Sequence, residues 1–380
     1  MRLAALSVRQ FRNLAALDLE IPEPGVVVIG ENGQGKTNLL EAIYYLVLFR
    51  SLRGAKDREL VRFGEAGFFL AGSADRGVEG SELRGPDGAT QRPAEPSNRR
   101  VTAGYEVSTR RKKVTLDGSE VSKLSDAVGT ILAVPLSPAD VAVVAGGPSG
   151  RRRYLDVVLS VSEPAYLGRL AELKTALKQR NAALRRGRAD EARAFDGPFA
   201  RAAEYVTATR RRWVERWRDR FAELSRALGE TSTAALRYRA GDPGEAAEGA
   251  EDWCRKLRET LDRDLRRGRT TVGPHRDDLR LGLAGRELRT YGSAGQQRTA
   301  AIALRLLEAE TLATARGAAP IALYDDVFAE LDESRQARLL ELIRAEFPGQ
   351  AIVAAPRDAE VPAALFDRPR WQITGGRIDG

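Results

Sequence analysis

Cysteine, histidine and methionine each occur once in the 380 residues, as Cys254, His275 and Met1. A lone thiol excludes an intramolecular disulfide, and it falls short of the thiolate set that a structural zinc site needs. A lone imidazole leaves no tidy Ser-His-Asp arrangement and no His-rich metal centre. Any chemistry must therefore rest on carboxylates, Lys, Arg and backbone amides. No window reaches the roughly 18 consecutive apolar residues of a membrane helix. The opening MRLAALSVRQ lacks the apolar stretch of an export signal. These absences predict a cytoplasmic protein with no membrane partner. Lysine is scarce as well: 8 of the 61 basic residues are Lys, so nearly all positive charge is guanidinium.

What is present is enough chain for more than one core, with an ordinary apolar content of 43%. The formal charge is +8, and its position says more than its size: residues 151–270 hold 28 Lys and Arg against 19 Asp and Glu. A surplus confined to one segment suits a polyanion partner, and equally a solvated helical arm in an Arg-heavy composition.

Residues 1–30 alternate as strands do, through Leu3, Leu6 and Val8 and then Leu17, Leu19 and Ile21. Pro22, Pro24 and Gly25 mark a turn, and Val26-Val27-Val28-Ile29 reads as a buried strand. From Thr37 an apolar stripe of Leu39, Leu40, Ile43, Leu46 and Val47 predicts a helix. Residues 60–135 read as short strands with turns at Gly85–Gly88, Pro93, Pro96 and Asp117-Gly118. A glycine-rich boundary at 146–150 precedes long helices from 151 to about 230, a loop at 241–249 and a helix at 251–267. Strand character returns at Leu279, Leu281, Leu283 and Leu288. A helix follows at 295–316, a strand at 321–324, a helix at 333–345 and a strand at 351–354. The fold class expected is α/β, divided as 1–147 (first half of the core), 148–268 (inserted helical arm) and 269–380 (second half).

Gly30-Glu31-Asn32-Gly33-Gln34-Gly35-Lys36-Thr37 fits G-x-x-x-x-G-K-[ST] between a strand and a helix. The glycines let backbone N–H groups turn inward around a β-phosphate, helped by the helix N-terminus. Lys36 would reach the β- and γ-phosphates of ATP, and the Thr37 hydroxyl would ligate Mg²⁺. The apolar run Ile321–Tyr324 ends in Asp325 and Asp326. Asp325 fits the magnesium-holding acid, and Asp326 the group that orients or deprotonates the attacking water. Asp332 stands where it would cap the next helix. Ser293-Ala294-Gly295-Gln296 opens the 295–316 helix, where a hydroxyl and free amides suit an anion, although Ser and Gly also serve as ordinary caps.

A phosphate loop, then an S-x-G-Q turn, then an apolar strand ending in acids together resemble the ABC-type ATPases with SMC-type heads. That resemblance implies that Ser293, Gly295 and Gln296 complete the phosphate site of a second copy, and that Asp332 lies on the dimer-facing loop. No histidine follows the 351–355 strand, which runs into Pro356-Arg357-Asp358, so the γ-phosphate sensor of transporters has no counterpart. One phosphate loop also argues against a two-domain transporter or translation-type ATPase.

More specifically, Phe11-Arg12-Asn13, GENGQGKTNLLEAIY (Gly30–Tyr44), Ser51-Leu52-Arg53, GPHRDDL (Gly273–Leu279), SAGQQRTAAIALRL (Ser293–Leu306) and DDVFAELD (Asp325–Asp332) are similar to the bacterial RecF family of recombination-mediator ATPases. Asn38 belongs to the nucleotide set on this footing, and Arg53 is similar to an SMC-head arginine near the nucleotide. The resemblance implies an ATP-dependent homodimer with slow ATP hydrolysis, acting on duplex DNA at single-strand junctions in repair, replication and the SOS response. It further implies partnership with RecR and, through RecO, help in loading RecA. As DNA contacts, Arg151–Arg153, Arg210–Arg212 and Arg263, Arg266 and Arg267 are the arginines to examine. Trp213 and Trp217, four apart on a helix, read as packing residues.

Overall fold

Continuous β-branched runs bury both faces of a strand, which suits the middle of a parallel sheet covered on each side. In the computed structural model, which describes residues 1–75, 98–241, 247–328, 331–365 and 367–379, Gly25–Ile29 and Ala351–Ala355 are such strands, every residue buried. They pair in parallel, Val27 opposite Val353. Ile321–Asp325 pairs in parallel on the far side of Ala351–Ala355, and Ala133–Leu136 follows it. Arg370–Thr374 flanks Gly25–Ile29, and Arg377–Asp379 closes that edge as an antiparallel hairpin.

This six-stranded sheet belongs to one of two compact units, formed by residues 1–138 and 309–380. The same unit holds an antiparallel sheet of Arg2–Phe11, Leu14–Glu20, Gly67–Asp75, Asn98–Glu106, Arg111–Leu116 and Ser119–Glu120. Its alternation is the one the sequence shows, with Leu3, Leu6 and Val8 buried. Gln350 ties the two sheets. Its amide donates to the Leu3 and Pro22 carbonyls at 3.0 and 2.9 Å, and its oxygen accepts from the Leu3 N–H at 2.7 Å. The helix Lys36–Leu48 packs on both sheets. Ten of its 13 residues are therefore buried, including Glu41, where an apolar stripe alone would have left one face wet. The turn at Asp117-Gly118 has positive φ at both residues, 49° and 87°, as a tight hairpin requires. The turns expected at Gly85–Gly88, Pro93 and Pro96 lie outside the described residues.

The second unit, residues 139–308, is built on the helices Pro148–Ser162, Tyr166–Arg185, Asp196–Ala227, Ala250–Glu259 and Leu261–Arg267. It differs from the expected arm in three ways. Ala234–Arg239 is a strand, in a stretch between the long helices and the 241–249 loop where the sequence names no element. It pairs antiparallel with Asp278–Leu283, Leu236 opposite Leu281, and that pairing binds residues beyond Gly268 into this unit. The division falls after Glu308 instead of after Gly268, and before Ala139 instead of after Gly147. Leu288 opens a short helix, Leu288–Tyr291, and is not a strand residue. Trp213 and Trp217 are both core residues, as their spacing predicts.

Ionic groups lie in this second core. Arg180 is wholly buried and donates to Asp196 at 2.8 Å, to Asp264 at 2.7 Å, to the Thr270 hydroxyl at 2.8 Å and to the Leu257 carbonyl. One guanidinium thus joins four helices and the segment after Gly268. Truncating it leaves two carboxylates without their main counter-charge, a change that typically costs about 3–5 kcal/mol. We expect Arg180→Ala to lower the denaturant midpoint of unfolding accordingly. Arg226→Ala, on an exposed turn of the long helix, should stay within about 0.5 kcal/mol of the parent. Equal midpoints for the two variants would show that the buried cluster does not hold the arm.

Candidate nucleotide site

The phosphate loop leaves the Gly25–Ile29 strand and enters the Lys36–Leu48 helix. Gly33 and Gly35 have φ of 83° and 121°, conformations that side chains rarely adopt. At Gly35 a Cβ would also meet the Asn13 side chain at 2.9 Å, and at Gly30 the Ile373 carbonyl at 2.5 Å. Glycine is thus required by torsion at one position, by closeness at another and by both at Gly35. Asn32 and Gly33 form the exposed crest. Lys36 is buried at the helix start, its ammonium donating to the Gly30 carbonyl at 2.6 Å and to that of Glu31 at 3.3 Å. The cation therefore sits inside the curl of the loop.

Two elements outside the motif hold the loop. Asn13, in the first hairpin turn, donates through Nδ2 to the Gln34 carbonyl at 3.0 Å and accepts at Oδ1 from Asn38 at 2.8 Å. The Gly375-Gly376 turn donates its two N–H groups to the Gln34 side-chain and main-chain oxygens at 2.6 and 2.9 Å. Asn38 and Gln34 are thus positioned as supports of the loop. Asn13 stood in a motif without an assigned role, and nothing in the sequence distinguishes Gly375-Gly376 from an ordinary hairpin turn.

Parallel pairing brings the acidic strand end to the loop. Thr37 Oγ1 donates to Asp325 Oδ1 at 3.0 Å, across 288 residues of sequence. A hydroxyl and a carboxylate side by side are the hard oxygen donors that magnesium takes, so the residues present fit that ion. Burial raises the Asp325 carboxyl above the ordinary aspartate range. The Thr37 hydroxyl draws it down, the Asp326 charge pushes it up again, and Arg53 and Lys36 draw it down. Asp326 takes a left-handed backbone, φ 52°, fixed by its N–H donating to the Ala354 carbonyl at 3.1 Å.

Behind the loop lies a carboxylate whose position in a family-like motif gave no hint of its partners. Glu41 is 0% exposed. It accepts from Ser51 Oγ at 2.6 Å, from Arg12 at 3.0 Å and from Arg53 at 2.7 Å. Burial would raise its pKa, yet these three donors hold it below the usual glutamate range. Arg53 also donates to Asn38 Oδ1, and so belongs to the same constellation as the loop.

The glycine turn lies in the other compact unit. Ser293 and Gln296 form a reciprocal cap: Ser293 N–H donates to Gln296 Oε1 at 2.9 Å, and Gln296 N–H donates to Ser293 Oγ at 3.2 Å. Ser293 is exposed, with Gly295 half-buried behind it. Asp332 caps its helix through the Arg335 N–H at 2.9 Å. That bond, the Ser334 hydroxyl and the Arg335 guanidinium hold its carboxyl at about 2. Ala329 and Glu330 of the same motif lie outside the described residues.

The GPHRDD block is structural. Gly273 has φ 129°, and a Cβ there would meet the Phe199 ring at 2.5 Å. Burial pushes the His275 imidazole down to about 4, and its Nε2 lies 3.2 Å from the Thr270 carbonyl. Asp278 takes both arms of Arg151 at 2.8 and 3.0 Å. Asp277 accepts from Tyr238, from the Gly241 N–H and from Arg210. Arg151 and Arg210 are consequently buried. They are removed from the arginines considered for DNA, because their charge is neutralised inside the arm.

Residues 2–367 match the RecF/RecN/SMC N-terminal domain family. The DNA replication and repair protein RecF of Anaeromyxobacter sp. (strain Fw109-5) is 39% identical over 386 residues, covering 100% of this chain and 99% of that protein. RecF of Myxococcus xanthus is 35% identical over 100% of this chain and 97% of its own length. A solved structure of the recombination mediator RecF with ATP, from the RecFOR pathway, superposes with a TM-score of 0.86 at 29% identity, covering 99% and 96% of the two chains. An Smc head bound to the C-winged helix domain of ScpA, with a TM-score of 0.55 at 15% identity over 100% and 96% of the chains, shares the fold. The ABC/SMC-type head and its interrupting helical unit are therefore those of a known lineage: the chain belongs to the RecF family of the RecF/RecN/SMC proteins.

Proposed function

We propose that this chain is an ATP-dependent DNA-binding protein of recombinational repair, which closes into a homodimer on Mg-ATP and hydrolyses it slowly. The observation that carries the reading is the 3.0 Å bond between Thr37 and Asp325, which assembles the hard-oxygen pair of a nucleotide-hydrolysing site from distant parts of the sequence. Likeness to RecF proteins of DNA replication and repair, and to the ATP-bound RecF structure, supports it.

Gly30, Asn32, Gly33, Gln34 and Gly35 would wrap the phosphates with backbone N–H groups, and Lys36 would transfer its hydrogen bonds from loop carbonyls to the β- and γ-oxygens. Thr37 and Asp325 would hold Mg²⁺, which when bound neutralises charge on those oxygens. Asp326 would accept the proton of the water that attacks the γ-phosphorus as the bond to the β–γ bridging oxygen breaks, leaving ADP and phosphate. Ser293, Gly295 and Gln296 of a second copy would close over the γ-phosphate: their cap is exposed and pre-formed, with N–H groups at a helix start. The DNA bound would be duplex near single-strand junctions. RecR would be the direct partner, with RecO and RecA downstream.

Light scattering should show ATP shifting the protein from monomer to dimer; a constant mass would exclude the shared site. Lys36→Arg should lose both dimerisation and turnover. Asp326→Asn should keep the ATP dimer while turnover drops at least about 100-fold, so equal loss of nucleotide binding in both variants would contradict the separate roles. The raised Asp325 carboxyl adds a pH dependence. Magnesium needs the ionised form, so Mg²⁺-dependent nucleotide affinity should fall on acidification sooner than an ordinary aspartate would allow. A titration monitored by fluorescent ATP should show this for the parent and not for Asp325→Asn, which binds weakly throughout.

A further inference from the structure

The arm's positive surplus does not cover its surface evenly. Arg151, Arg180 and Arg210 are buried against carboxylates. Among the exposed arginines, Arg188 and Arg193 pair with Glu191 and Asp190. Five others, Arg185, Arg186, Arg266, Arg267 and Arg269, are exposed, and their side chains have no ion-pair or hydrogen-bond partner among the described residues. They converge on one spot. The helices Tyr166–Arg185 and Leu261–Arg267 both end there, joined by a small apolar cluster containing Leu184 and Leu261 with Leu265 packed on it. A Cβ on Gly268, the left-handed cap of the second helix, would stand 3.2 Å from Cγ of Arg185. All five arginines lie within two residues of that meeting point. The neighbouring Asp264 is engaged by Arg180, and Asp262, one turn before Arg266, forms no ion pair with it.

Arginines at helix C-termini gain a little from the helix dipole, within the last turn. That accounts for one or two per helix, not for five guanidinium groups left without counter-charge. From this juxtaposition we propose that the end of the arm where the two helices terminate is a DNA-contact surface, one that grips the phosphate backbone of duplex DNA without reading sequence.

Guanidinium forks match phosphate oxygens bidentately. The choice of duplex follows from what the spot lacks. The large apolar side chains exposed among the described residues are Phe63, Phe69, Leu124 and Tyr291, and none lies in these two helices. Neither helix exposes an aromatic ring on which unpaired bases would stack. Nor does either helix expose a large aliphatic side chain to anchor an acidic peptide. Charge alone, at a rigid helical end, is what sequence-independent backbone binding uses. The inference rests on the DNA-binding reading above and adds the place.

The test is a salt titration of binding to a fluorescent 30-base-pair duplex, comparing the parent with the five-fold variant Arg185→Gln, Arg186→Gln, Arg266→Gln, Arg267→Gln and Arg269→Gln. Gln preserves the stem that packs near Gly268. The slope of log affinity against log salt should become shallower by roughly 0.9 for each phosphate that is no longer neutralised, with affinity at least about tenfold weaker at low salt. Binding of fluorescent ATP should be unchanged. Arg185→Lys with Arg267→Lys keeps the charge and should keep most of the slope, a check that stands even if the five-fold variant melts early. Removing Arg201 and Arg226, exposed elsewhere on the arm, should leave the slope near that of the parent. An unchanged slope in the five-fold variant, against a parent that binds duplex, overturns the proposal. So does capture of a polyglutamate peptide in place of duplex through these arginines. A parent that fails to bind duplex at all overturns the DNA-binding reading itself.

Discussion

Everything at the nucleotide site depends on the register of a parallel sheet. Val27 lies opposite Val353 and Tyr324 opposite the same residue on its other side, so the strand that launches the phosphate loop and the strand that ends in acids finish level, one strand apart. A hydrogen bond of 3.0 Å between Thr37 and Asp325 records that alignment. Shifting either strand by one residue would turn every side chain to the opposite face and withdraw the carboxylate. The wholly buried apolar runs prevent such a shift, because one slip would place polar ends in the core. Residue types usually counted as packing thus set the geometry on which the chemistry relies.

The sequence was informative where chemistry is local. A phosphate loop occupies eight consecutive residues and its torsional demands fall on glycines, so Gly33 and Gly35 could be read directly. The buried strands and the Ile321–Asp325 end could be read as well, since a short apolar run ending in acids has few alternatives. Glu41 could not be read. A glutamate in a helix is ordinarily a solvent-facing residue, and its burial follows only when sheets close on both sides of that helix and bring Arg12, Arg53 and Ser51 to it. Asn13 and the Gly375-Gly376 turn escaped for the same reason, since their partner Gln34 is distant in sequence. The strand Ala234–Arg239 was missed because six residues of alternation, with alanines where bulk is usual, are faint beside the long helical text around them.

Charge in the arm shows why composition is a poor guide to a binding surface. Two of the arginines that look suited to a polyanion in the sequence, Arg151 and Arg210, are core residues, and so is Arg180. Arg180 and Arg210 in particular act as multi-toothed connectors, each satisfying several acceptors that would be costly to bury unpaired. The aspartates of the GPHRDD block are the counterparts of Arg151 and Arg210, which gives that block a reason to exist apart from nucleotide chemistry. Among the arginines left outside, unneutralised, five lie together where two helices end.

The Gly375-Gly376 turn has a further bearing on how the protein is made. Its two N–H groups brace Gln34, and Asn13 donates to the same main-chain carbonyl, so the loop is shaped by residues that leave the ribosome far apart in time. During synthesis the glycine-rich curl emerges unsupported on one side, and it must wait for the Gly375-Gly376 hairpin to arrive. A nascent chain stalled short of that hairpin carries the complete phosphate-binding motif without the architecture that gives it shape.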